Sequence, residues 1–178
     1  MSEFWATEKK FEKYCYDLLR EHIEAIDAAE AASIYALSFY LDNNPDDDDK
    51  PTLWLGYNTQ QQADDCTPSP LNNSLQHKAS DRGEAKWNYA FWLQNQLCVI
   101  GASGADSQAI RNEWIDWLLP AEDVSKCFAA LSVRVARRLH QTGVIQQKFG
   151  GSIPIIVHEL EFSDQIAHQT SAANPAGS

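Results

Sequence analysis

An α+β fold is what this sequence predicts: a mostly antiparallel sheet of about five strands packed against an N-terminal helix and two to three later helices. Three observations carry that expectation. Apolar residues recur at three- and four-residue spacing over 7–31, 107–119 and 121–141, the period of a helix with one buried side. Short aromatic and aliphatic runs at 33–41, 52–57, 86–94, 97–101 and 153–162 alternate as half-buried strands do. The chain has 178 residues, 44% of them hydrophobic and 22% charged, which suits a single domain over 1–178 with a real core.

The first helix, over 7–31, places Phe11, Cys15, Leu18, Leu19, His22, Ile23 and Ile26 on one stripe, with Glu8, Lys9, Glu12, Lys13 and Asp17 on the wet side. The strand at 33–41 turns Ile34, Ala36, Ser38 and Tyr40 one way and Tyr35, Leu37, Phe39 and Leu41 the other. An acidic loop, 42–51, leads to the strand at 52–57, so the two strands form a hairpin with an acidic tip. A long polar loop follows over 58–82, with a short helix near 59–64; loops of this length often carry function. At 86–94 Trp87, Tyr89, Phe91 and Leu93 alternate with Ala90 and Trp92, which reads as a strand hairpinned to 97–101; a short helix over 87–93 competes. The helix at 107–119 lines up Ile110, Trp114, Trp117 and Leu118 and stops at Pro120. The helix at 121–141 carries Val124, Phe128, Leu131, Val135 and Leu139, with Gly143 as its C-terminal stop. A last strand at 153–162, a helix at 163–170 and a loose tail at 172–178 complete the chain.

Charge narrows the partners. The net charge of −11 repels nucleic-acid phosphates and anionic membrane surfaces and attracts a basic protein. No run approaches the ~18 apolar residues of a membrane span, and 1–10 lacks the apolar region of a secretory signal. Cys15, Cys66, Cys98 and Cys127 are far apart and form no CxxC pair, so they read as free thiols of a cytoplasmic protein. No cofactor or metal motif is present.

Several constellations invite a chemical reading. The acidic loop fails as a helix–loop–helix calcium site, because its sixth and twelfth places hold Asp47 and Leu53. Asp46, Asp47, Asp48 and Asp49 read instead as a solvated tip that faces a basic partner, with Trp92 a surface aromatic for the same interface. His158-Glu159 fails as a zinc-protease motif at Phe162. Glu159 and Glu161 share a strand face about 7 Å apart, and with His158 they make a candidate acid–base set. Gly101-Ala-Ser-Gly-Ala departs from the nucleophile elbow at Ala105. Arg134, Arg137 and Arg138 fall on one side of their helix as a candidate anion site, although the helix dipole and nearby carboxylates also account for them.

Three stretches carry a resemblance: Ile34-Tyr-Ala-Leu-Ser-Phe-Tyr40, Leu53-Trp-Leu-Gly-Tyr-Asn-Thr59 and Ile153-Pro-Ile-Ile-Val-His-Glu-Leu-Glu161. In this order the chain resembles an uncharacterised family of small bacterial proteins. The resemblance covers most of the chain and implies an N-terminal helix, a hairpin strand ending in an Asn-Thr turn, and helices after the central sheet. Its motifs are structural and transfer no active-site residue. Small acidic proteins of this kind also resemble immunity proteins that neutralise bacterial toxins. Two functions follow as expectations: a non-enzymatic module recognising a basic partner, or a hydrolase-like enzyme using His158, Glu159 and Glu161.

Overall fold

The structure, a computed structural model, describes residues 2–42, 51–67, 79–101, 104–118, 123–159 and 163–175. Its elements are α1 (Ser2–Ala25), α2 (Ala28–Ala31), β1 (Ile34–Asp42), β2 (Thr52–Thr59), α3 (Gln60–Cys66), α4 (Arg82–Trp87), a 3-10 turn at Tyr89–Phe91, β3 (Cys98–Ile100), α5 (Ala105–Leu118), α6 (Val124–Gln141), α7 (Val144–Phe149), β4 (Ile155–His158) and α8 (Ser163–Ala173). The fold is α+β. Among the described residues its sheet has four strands in the order β3-β2-β1-β4, where about five were expected. It is also mixed: β2 runs antiparallel to β1 and β3, while β4 runs parallel to β1.

One sheet face carries Leu37, Phe39 and Leu41 of β1, with Leu53 and Leu55 of β2 and Ile155 and Val157 of β4; all are buried. They join a cluster with Phe11, Leu19 and Ile23 of α1, Trp114 and Leu118 of α5, and Phe128, Leu131, Val135 and Leu139 of α6. Phe11 anchors it, with ring centres 5.2 Å from Trp114 and 6.2 Å from Phe128. Aromatic burial of this size dominates core energetics. No helix among the described residues is long and apolar enough to cross a membrane.

Several expectations are corrected. The segment 86–94 is not a strand. The Asp81 carboxylate accepts from Glu84 N at 2.9 Å and Glu84 reaches back to Ser80 N at 2.6 Å, which starts α4. Asn88 then caps the 3-10 turn by accepting from Ala90 N at 3.0 Å. Local capping therefore outweighs the alternation, and the expected second hairpin is absent. The polar loop 58–82 begins later than expected: β2 runs to Thr59, whose hydroxyl caps α3 at Gln62 N; residues 68–78 lie outside the described residues. The first helix ends at Ala25, and Asp27 caps a separate α2. Two left-handed glycines, Gly143 (φ 79°) and Gly150 (φ 70°), bracket α7, which the sequence reading passed over. Trp117 is 46% exposed, so the buried side of α5 excludes it.

The tail is also corrected as far as it is described. Ala173 is fully buried, and Arg137 donates to Ala172 O at 2.7 Å. Asn174 accepts from Ile155 N at 2.7 Å and donates to Ile155 O at 2.8 Å. Residues 172–175 are thus held to β4 and α6.

Candidate functional site

Strand register decides what the second sheet face displays. Tyr40 pairs with Trp54 on β2 and with His158 on β4, while Ser38 pairs with Gly56 and Ile156. Because strand side chains alternate, these residues stand opposite to Leu37, Phe39 and Leu41. A bulge between Ile34 and Ala36 adds Tyr35 to the same face. Its hydroxyl donates to Lys86 O and accepts from Asn58 Nδ2 at 2.9 Å.

The chain from α4 to β3 forms a wall over this floor. Tyr89 stacks on Tyr40 at 5.7 Å between ring centres, with 15° between planes, and lies 4.4 Å from the His158 ring. Trp92 packs beneath, its indole N–H donating to Lys86 O at 3.0 Å. Gly56 permits the close approach of the wall: a Cβ there would lie 2.6 Å from Asn95 O. The chain turns down at Gln94, whose φ of 49° is left-handed for a residue with a side chain.

Between floor and wall runs an open groove of about 840 Å³. Tyr40, Trp54, Ile156 and His158 line it from the strands, Trp87 and Tyr89 from the wall, and Asp42 and Glu159 supply carboxylates; among the described residues no lysine or arginine lines it. Asp42 ends β1, and Glu159 follows the last residue of β4.

Burial and charge set the protonation states. Burial pushes the His158 pKa down to about 4, so the imidazole is neutral at pH 7. Its Nε2 lies 2.8 Å from Ser38 Oγ. The Tyr40 hydroxyl is raised by burial first, then by the charge of Asp42, with smaller contributions from Tyr89 and Glu159. Both groove carboxylates therefore act on one phenol. Burial raises Tyr89 as well, against a hydrogen bond from Ser38.

Ser38 and His158 have the separation of a nucleophile and its base. Ser38, however, is only 1% exposed and does not line the groove. A carbonyl substrate has no route to its Oγ, so this hydrogen bond orients the imidazole. Among the described residues no group of three His, Cys, Asp or Glu side chains could hold a metal ion. What the groove offers is π surface beside negative charge, a combination that attracts cations.

The residues singled out from sequence distribute as follows. His158 and Glu159 both line the groove; Glu161, Asp46, Asp47, Asp48 and Asp49 lie outside the described residues, as does Ser103. Trp92 is corrected: it is 5% exposed, and of Trp87 and Trp92 it is Trp87, at 51%, that is exposed. Arg134, Arg137 and Arg138 are corrected too, because each is engaged within the protein. Arg134 pairs with Glu8 at 2.5 Å and Glu12 at 2.8 Å. Burial opposes the Arg134 charge, yet the two carboxylates outweigh it and raise its pKa. Arg137 is bonded to Ala172 O, and the Arg138 guanidinium lies 4.2 Å over the Tyr16 ring. Sequence reading missed Tyr40, Trp54 and Tyr89. The alternation of β1 put Tyr40 with Ser38, and only the register with Trp54 and His158 was needed to assemble the floor. No protein-family model, curated protein or solved structure matches this chain.

Proposed function

We propose that this protein is a binding module that recognises a basic partner protein through the groove on the outer sheet face. The observation that carries the reading is the groove lining itself: four aromatic side chains and two carboxylates, with no lysine or arginine lining it among the described residues. Trp87 supports it, since an exposed tryptophan at the mouth of a pocket is a frequent anchor of protein interfaces. The net charge of −11 supports it at long range by steering a basic partner toward the chain. The immunity-type resemblance fits the same reading, because a toxin-neutralising protein works by binding.

The hydrolase reading has one observation in its favour, the Ser38–His158 hydrogen bond. The burial of Ser38 weighs against it. Nuclear magnetic resonance of the intact chain tests the binding reading. Short lysine- and arginine-rich peptides are expected to shift the Tyr40, Trp54 and Trp87 signals at low salt and less at high salt, and acidic peptides to leave them alone. Trp87→Ala is expected to weaken the shifts. Basic peptides that bind elsewhere, or not at all, would remove the proposal.

A further inference from the structure

We propose that the group the groove receives is a guanidinium, the end of an arginine side chain on the partner. The inference rests on the basic-partner reading and names the cation. Three features of the groove select it.

The first is occupancy. Lys86 Nζ stands 5.0 Å from the ring centres of both Tyr35 and Trp87, whose rings meet edge to face at 5.5 Å. That corner is already filled by the protein's own ammonium, which repels a second cation. The Tyr40–Trp54 corner, with ring centres 5.6 Å apart at 85°, holds no such cation among the described residues.

The second is the position of the charge. Asp42 lies two residues beyond Tyr40 on the same strand and acts on the Tyr40 hydroxyl; Glu159 follows His158, the cross-strand partner of Tyr40, and acts on it too. Thr52 accepts the Trp54 indole N–H at 2.9 Å, so Trp54 offers the incoming group its π surface and not a donor.

The third is shape. Trp54 and Tyr40, whose other face Tyr89 covers, meet at right angles in the groove beside a carboxylate. A guanidinium is planar, so its face stacks on a ring while its N–H edge forms a two-point pair with the carboxylate. An ammonium is a compact, strongly hydrated charge that gains less from a flat wall. The fold uses the stacked contact elsewhere, in Arg138 over Tyr16.

Three blocked pentapeptides, alike except for a central arginine, lysine or citrulline, decide the matter when titrated into the intact chain with the Trp54 and Trp87 indole signals observed. The arginine peptide is expected to bind about tenfold tighter than the lysine peptide, and Asp42→Asn to remove about tenfold of that affinity. Glu159→Gln provides a second reading should Asp42→Asn fail to fold, and is expected to narrow the arginine-over-lysine preference. Equal binding of the arginine and lysine peptides, both above citrulline, overturns the guanidinium assignment while leaving a basic-partner site. Binding no tighter than that of the citrulline peptide overturns both. A preference for arginine that survives both substitutions overturns the assignment of these carboxylates.

Discussion

A buried imidazole couples His158 to pH in one direction. Its pKa is about 4 in the folded chain, against about 6.5 when unfolded. Above pH ~6.5 neither state holds the proton, and His158 costs nothing. As pH falls toward 4, the unfolded chain takes up a proton that the folded chain refuses, so stability is lost on acidification. A shift of this size is worth up to about 3 kcal/mol. Wild type is therefore expected to lose up to that much more stability than His158→Gln between pH 7 and pH 4, measured by denaturant titration. Parallel losses in the two proteins would show that the imidazole is solvated. His140, lowered by burial against its bond to Asn174, adds the same sign to both proteins and cancels. At this scale the sequence was informative about identity and uninformative about place. His158 and Glu159 were singled out from the chain, but their aromatic neighbours come from β1, β2 and the 3-10 turn, and only tertiary contact brings them together.

Among the elements, α6 was legible and the wall was not. Val124, Phe128, Leu131, Val135 and Leu139 recur at helical spacing, and all five are buried. A long helix needs such packing to persist, so periodicity and burial agree. Leu131 is fully buried at the centre of that stripe. Leu131→Ala is expected to lower stability by about 2–5 kcal/mol in a urea or guanidinium titration, with the slope unchanged. A loss well under 1 kcal/mol would mean that the core collapses around the gap. In α5 the same logic slipped, since Trp117 is exposed while Ile115 is buried. The segment 86–94 misled for a different reason. Its aromatic alternation is real, but Asp81, Glu84 and Asn88 satisfy backbone N–H groups within a few residues, and that local gain fixes helical turns. Aromatic alternation was read there as pleat, whereas α4 and the 3-10 turn use those rings to roof the sheet.

The whole molecule is asymmetric about its sheet. Among the described residues, long helices bury one face, and short helical turns with a groove cover the other. The α+β class and the order of the major elements were readable; the parallel β1–β4 pairing was not, because pairing between distant strands leaves no local mark. The C-terminal segment follows the same rule. Residues 172–175 look like a tail by composition, yet the methyl of Ala173 is in the core and Asn174 bonds both α6 and β4. A chain ending at Ser171 is expected to lose at least about 3 kcal/mol, from several hydrogen bonds each worth about 1 kcal/mol net and the buried groups left without partners. Denaturant midpoint and hydrogen exchange at Ile155 report it; unchanged exchange there would show that Asn174 does not secure the strand.

That asparagine has one more consequence. Its amide meets both the N–H and the C=O of Ile155 on the side of β4 away from β1, where a fifth strand would otherwise pair. Unpaired strand margins are templates on which separate copies of a protein add to one another and grow into fibrils. One side chain, standing in for a neighbouring backbone, occupies the polar groups of Ile155 and blunts this edge as a template.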